Sequence, residues 1–129
     1  MGERPDEPPD ELRYVDHEPG AWFLVERRGT LYLDARYSHS ALIDDSALIR
    51  LDDVEVEAYR ARGHAYLSDL ARHIHESAPY SAASPYHERD LNRGPDGATY
   101  RAAVTTAIAA HTWRAEHRRA TPPPDDGPG

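Results

Sequence analysis

The chain has 129 residues, no cysteine and a formal net charge of −8. This length suits one domain built around one modest hydrophobic core. The lack of cysteine excludes disulfides, thiolate metal ligands and a cysteine nucleophile. Lysine is absent too, which excludes a Schiff-base lysine and the lysine of a phosphate-binding loop.

Residue usage points to the source of the chain and its compartment. Lysine and glutamine are absent, asparagine occurs once, and alanine, arginine and proline are abundant, which is typical of a GC-rich bacterial genome. The longest apolar run is far shorter than a bilayer requires, and the first twenty residues carry no apolar targeting segment. We therefore expect a cytoplasmic bacterial protein with no membrane partner.

The negative charge is concentrated in the first half of the chain. Residues 1–60 hold fifteen acids and seven arginines, whereas residues 61–129 hold eight of each. Nucleic-acid binding depends on basic side chains that neutralise phosphates, so we expect no nucleic-acid partner. A protein with a basic surface is the better electrostatic match. The simpler alternative is that the acidity only keeps the chain in solution.

Both ends of the chain differ in composition from its middle. Residues 1–19 are rich in proline and acids, which predicts a disordered acidic lead, although Leu12, Tyr14 and Val15 could pack as an arm. Residues 119–129 are rich in Pro, Asp and Gly and are predicted to form a disordered tail. Residues 20–118 remain as a single α+β domain.

Three runs in the first half of this domain have strand character. Residues 21–28 are followed by Gly29-Thr30, which predicts a hairpin, and the return strand alternates with period two. We expect its odd-numbered face to pack and its even-numbered face to meet water. Residues 47–51 are the third strand, with Asp44-Asp45 in a turn or bulge, or within the strand if it is continuous.

A long amphipathic helix follows at residues 53–77. Asp52 and Glu55 have the spacing of a capping box. Apolar residues then recur at steps of three and four, which predicts a stripe that lies across the sheet. Gly63 interrupts the stripe, either because the backbone contacts a strand closely, which we favour, or because the helix bends.

The predicted fold is therefore α+β, a three-stranded antiparallel meander packed against one long amphipathic helix, with a second C-terminal helix at residues 98–118. Three strands leave two sheet edges to cover. The alternative is a sheet completed by a partner, and a homodimer through an edge strand would supply one.

The connection between the two helices, residues 79–97, is the strongest functional hint. Nineteen residues without regular structure are uncommon in a compact domain and often form binding loops. Its aromatic residues and its charged residues of both signs make the connection a candidate binding surface. Alternatively, Tyr86 and Leu91 only fasten it to the core. The candidate residues are Tyr80, Tyr86, His87, Arg89, Asp90 and Arg93.

A secondary polar site is predicted on the sheet. Asp34 and Arg36 share the strand face opposite the core, together with Ser38, and His39 and Asp44 follow close by. Exposed strand faces commonly carry such residues without any function, so this pattern alone is weak.

The eight histidines do not predict a metal site. His73 and His75 would point away from each other on a helix, and no pair has the spacing of a zinc helix. His64, His73 and His75 are expected to be solvated, and His111 to lie at the edge of the core. Asp69 and His73 could form a dyad but equally a surface ion pair. We predict no catalytic residue, metal ligand or cofactor.

The favoured function is a small acidic cytoplasmic protein-binding module, similar in size and charge to immunity or adaptor proteins. The alternative is a small enzyme or ligand-binding domain with a pocket under the 79–97 loop, and a third possibility is a structural subunit of an assembly. A pocket with convergent polar groups and shifted pKa values would favour the enzyme or ligand-binding domain.

Overall fold

A computed structural model describes residues 11–40 and 43–120, and the side chains of residues 11–37 and 45–115. The chain is α+β, with a four-stranded antiparallel sheet in the order β1-β2-β3-β4 and three helices. The strands are β1 (Arg13–Glu18), β2 (Trp22–Arg27), β3 (Thr30–Ser40) and β4 (Ile43–Arg50). The helices are α1 (Asp53–Arg62), α2 (His64–Glu76) and α3 (Gly97–Ala120).

The sheet has one strand more than the three predicted. The additional strand, β1, lies in the lead that was predicted to be disordered, and it pairs with β2 from Arg13↔Glu26 to Glu18↔Trp22. The packed arm was the better alternative, because Leu12 is buried against α3. Polar residues and a bulge between Tyr14 and Asp16 conceal the period-two pattern of β1. The predictions of disorder for residues 1–10 and 121–129 lie outside the described residues.

The predicted β2–β3 hairpin is confirmed. Arg27 pairs with Thr30, and the two residues between them, Arg28 and Gly29, have φ values of 52° and 83°. Positive φ at both central residues is typical of the type I′ turn, which two-residue hairpins favour because its twist matches that of the flanking strands.

The third predicted strand is longer than residues 47–51. β4 begins at Ile43 and pairs with β3 through Leu33↔Ile49 and Tyr37↔Asp45. Asp44 and Asp45 therefore lie within a continuous strand, which was the second of the two interpretations of this segment.

Helices cover both faces of the sheet, so the expectation that one face meets water was wrong. One face packs against α2, and its buried residues include Trp22, Leu24, Leu33, Ile49, Leu67 and Ile74. The other face packs against α3, and its buried residues include Leu12, Val25, Tyr32, Leu48, Tyr100 and Val104. α3 thus lies on the opposite face of the sheet from α1 and α2. The prediction that it packs beside the long helix was wrong.

The long helix is two helices that meet at Gly63. Gly63 has φ 67° and ψ −144°, and a Cβ built on it would meet no atom within 4 Å. The preference for a close contact with a strand was therefore wrong, and the chain changes direction here because glycine tolerates this backbone conformation. The capping box of Asp52 and Glu55 at the start of α1 is confirmed.

The third helix is longer than its predicted bounds. α3 has 24 residues, is rich in alanine and reaches Ala120. Within the described residues, no helix has both the length and the apolarity that crossing a membrane would take.

Candidate functional site

The 79–97 loop runs along the outer edge of β4. Asp90 is 4% exposed and forms a bridge with Ile49. Its Oδ1 accepts hydrogen bonds from the backbone N–H of Leu48 at 2.9 Å and of Asn92 at 3.0 Å. Burial raises the pKa of the Asp90 carboxyl, and the two backbone hydrogen bonds oppose that rise. Asp90 therefore covers part of an edge that would otherwise be exposed.

A second anchor joins the loop to the start of α1. The Arg89 guanidinium donates to both carboxylate oxygens of Glu55, at 3.0 and 2.7 Å, and to the backbone oxygen of Arg50 at 3.0 Å. The Glu55 hydrogen bonds raise the pKa of Arg89. Because Glu55 also completes the capping box, this bidentate pair fixes the loop to a rigid helix terminus.

The remaining predicted loop residues differ in exposure. Tyr86 packs against the α2-side core beneath Arg89, and His87 Nδ1 lies 3.0 Å from the backbone oxygen of Pro79. Tyr80 is 38% exposed and stacks on Tyr37, while Arg93 is exposed. Four of the six candidates, Tyr80, Tyr86, Arg89 and Asp90, thus contact the sheet or the helices and fasten the loop, and His87 contacts the loop itself. A binding role for this loop stays a prediction.

The secondary sheet site lies in a recess between α3, the middle of β3 and the first half of β4. Its volume is about 320 Å³, and its lining includes Asp34, Arg36, Ser46, Asn92 and Arg101. We call it the α3 recess. Asp34 and Arg36 both line it, whereas the side chains of His39 and Asp44 lie outside the described residues.

Asp34 is the central acidic group of the α3 recess. The residue is only 3% exposed, and Ser46 lines the recess beside it. Burial raises the pKa of this carboxyl, although Ser46, Arg36 and Arg101 each oppose the rise. Arg36 Nε lies 3.7 Å from Asp34 Oδ2, and the Arg36 guanidinium lies over the Phe23 ring.

The sequence prediction missed two members of this recess. Arg101 donates to Asp45 at 3.2 Å, and Asn92 Nδ2 donates to the backbone oxygen of Ser46 at 3.3 Å. A further hollow of about 560 Å³ adjoins Asn92 and Arg101 and reaches His87 and Arg93. The two hollows share Asn92 and Arg101 as lining residues, so the loop candidates His87 and Arg93 line a hollow next to that of the sheet candidates. The one available signal was that Asn92 is the lone asparagine of the chain.

His64 is exposed, as expected, and it also joins β1 to the start of α2. Its Nδ1 lies 2.9 Å from Asp16 Oδ2 and its Nε2 lies 2.8 Å from Glu18 Oε1. Only a protonated imidazole donates from both ring nitrogens. The hydrogen bonds to Asp16 and Glu18 raise the pKa of His64.

His111 and Asp69 each contact side chains of one neighbouring element or of their own helix. His111 stacks on Tyr14 with ring centroids 3.7 Å apart. Asp69 accepts hydrogen bonds from Arg62 at 2.6 Å and Arg72 at 3.1 Å, and the bond from Arg62 is the main cause of its lowered pKa. No group of three His, Asp or Glu residues in the described part of the chain is arranged to hold a metal ion.

Comparison with known proteins gave no match to a family model, to a curated protein or to a solved structure.

Proposed function

We propose that the chain is a cytoplasmic bacterial protein-binding module that docks a basic protein on the exposed start of α1. The observation that carries this proposal is Val54, which is 77% exposed. Asp52 and Asp53 precede it, Glu57 lies one turn further on, and all three are exposed. We call these four residues the α1 surface. An apolar contact inside a charged rim is the usual arrangement of a protein interface.

The α1 surface is held rigidly, which favours binding. The capping box fixes the first turn of α1 through hydrogen bonds of 2.8 and 2.9 Å between Asp52 and Glu55. Arg89 then ties Glu55 to the loop. A surface that is already ordered loses little conformational entropy when a partner binds.

Charge neutralisation tests this proposal. The double variant Asp53→Asn/Glu57→Gln removes two acids from the α1 surface, and Glu11→Gln/Glu76→Gln removes two exposed acids elsewhere. We expect a partner captured by the wild-type chain to bind the first variant about three- to thirtyfold more weakly at low salt, and less so at high salt. Val54→Ser should weaken binding at both salt concentrations.

Equal binding by both double variants would contradict the proposal. So would an affinity that does not change with salt, because exposed ion pairs are screened.

We also propose, as an alternative, a homodimer that forms through β1. Asp90 covers part of the β4 edge, whereas no strand in the described ranges pairs with the outer edge of β1. Val15, on this strand, is 38% exposed. Sedimentation velocity should show a dimer that Val15→Pro weakens, since proline cannot donate to a strand ladder; a monomer at all concentrations would refute the dimer.

A further inference from the structure

Asp34 occupies a position where the fold favours an apolar side chain. It pairs with Leu48 in the β3–β4 register, and Tyr32 and Val25 are buried on the same sheet face under α3. A buried carboxyl costs stability unless it is well paired, and Arg36 approaches it only to 3.7 Å. Residues that break the local pattern in this way are common at functional sites.

The charges around the α3 recess are balanced. Arg36 and Arg101 supply two guanidinium groups, and Asp34 and Asp45 supply two carboxyl groups. Arg101 meets Asp45 through one nitrogen at 3.2 Å, and a guanidinium has five N–H donors. The recess can therefore present donors to an anionic group and acceptors to a cationic group at the same time.

Asn92 adds an acceptor with no partner. Its Oδ1 is buried and, among the described residues, has no hydrogen-bond donor within reach. The amide cannot simply be reversed, because its Nδ2 donates to the backbone oxygen of Ser46. Asp90 Oδ1 accepts from the Asn92 backbone N–H, so this side chain is held in place at the recess. A buried polar atom without a partner is uncommon in folded proteins and is often associated with a functional site.

We propose that the α3 recess binds a free, zwitterionic α-amino acid. Its ammonium group would meet the acceptor Asp34, and its carboxylate would meet the guanidinium groups of Arg36 and Arg101. Val104 and Ile108 line the same recess and would contact an apolar side chain. A volume of about 320 Å³ is at the lower end for small-molecule sites, about 300–1,000 Å³, which suits a ligand of this size.

Charge balance separates this ligand class from others. A phosphate would add two negative charges to a neutral recess and offer no cation for Asp34. A simple amine would leave the two guanidinium groups unused. Only a ligand that carries both charges satisfies both halves of the recess.

Calorimetric titration of the full chain with L-alanine, L-valine, L-leucine and L-phenylalanine tests the proposal. We expect at least one to bind with a Kd below about 10 mM. The analogues of that amino acid that lack either the carboxylate or the ammonium group should bind at least about tenfold more weakly. Inorganic phosphate should not bind measurably.

Variants then locate the site. Asp34→Asn and Arg101→Gln should each weaken binding about tenfold or more, whereas Arg72→Gln, on the exposed side of α2, should not change it. Circular dichroism would confirm that each variant is folded. Failure of all four amino acids to bind, tighter binding of phosphate, or full affinity in both recess variants would overturn the proposal. Because α1 lies on the other side of the sheet, none of these results depends on the α1 surface.

Discussion

Replacing Asp90 with alanine tests whether the 79–97 loop is a fixed cover of the sheet edge. One carboxylate oxygen accepts from the backbone N–H groups of Leu48 and Asn92. Leu48 is fully buried, so its N–H would be left without an acceptor in Asp90→Ala. A buried donor without a partner costs about 1–3 kcal/mol, and loss of the second bond adds to this.

We therefore expect Asp90→Ala to lower the free energy of unfolding by about 3 kcal/mol. For a domain of roughly 100 residues this corresponds to a fall in Tm of about 12 °C or more. Asp90→Asn keeps an oxygen acceptor in the same position, so it should cost only about 1 kcal/mol. Urea unfolding measures both variants, and hydrogen exchange at the Leu48 amide reports on the edge itself.

The reasoning would be refuted if Asp90→Ala lost less than about 1 kcal/mol and its Leu48 amide stayed as protected as in the wild type. In that case the loop would not depend on this contact.

Three further predictions follow from single side chains. Burial raises the pKa of Asp34 in the folded state. The wild type should therefore lose stability relative to Asp34→Asn as pH rises from about 4 through that pKa. Urea unfolding at several pH values measures this difference. Asp16 and Glu18 raise the pKa of His64 above 6.5. The wild type should therefore lose protection of the β1 amides against hydrogen exchange as pH rises through that pKa, whereas His64→Gln should not. Equal hydrogen exchange in both proteins would contradict this. Gly97→Ala would place a Cβ 2.2 Å from the Asn92 backbone oxygen. It should therefore lower the free energy of unfolding in urea by about 1–3 kcal/mol. A change near zero would contradict the contact.

Local signals predicted those elements that depend on local chemistry. Alternating residues and Gly29 predicted the β2–β3 hairpin, and the spacing of Asp52 and Glu55 predicted the capping box. Such features rest on a few neighbouring residues, so the sequence contains their full cause.

Elements that depend on distant contacts were harder to predict. β1 has few apolar residues, and its stability comes from the ladder with β2 and from Leu12 under α3. The even-numbered face of β3 resembles an exposed face because Asp34 and Arg36 interrupt it, yet α3 covers it. Only the three-dimensional structure shows which helix lies over which face.

The candidate site shows the same limit. Asp34 and Arg36 could be paired from the period of β3 alone. Asn92 and Arg101 lie more than 50 residues away in the chain, and their place beside Asp34 depends on the path of the loop and α3.

Binding of the captured partner to the double variant Asp53→Asn/Glu57→Gln tests the central proposal most directly. The same net change in charge is made by Glu11→Gln/Glu76→Gln, so this control separates the α1 surface from the overall acidity. We predict a salt-sensitive affinity that falls only in the α1 variant. Equal affinity in both variants would show that the start of α1 is not the docking surface.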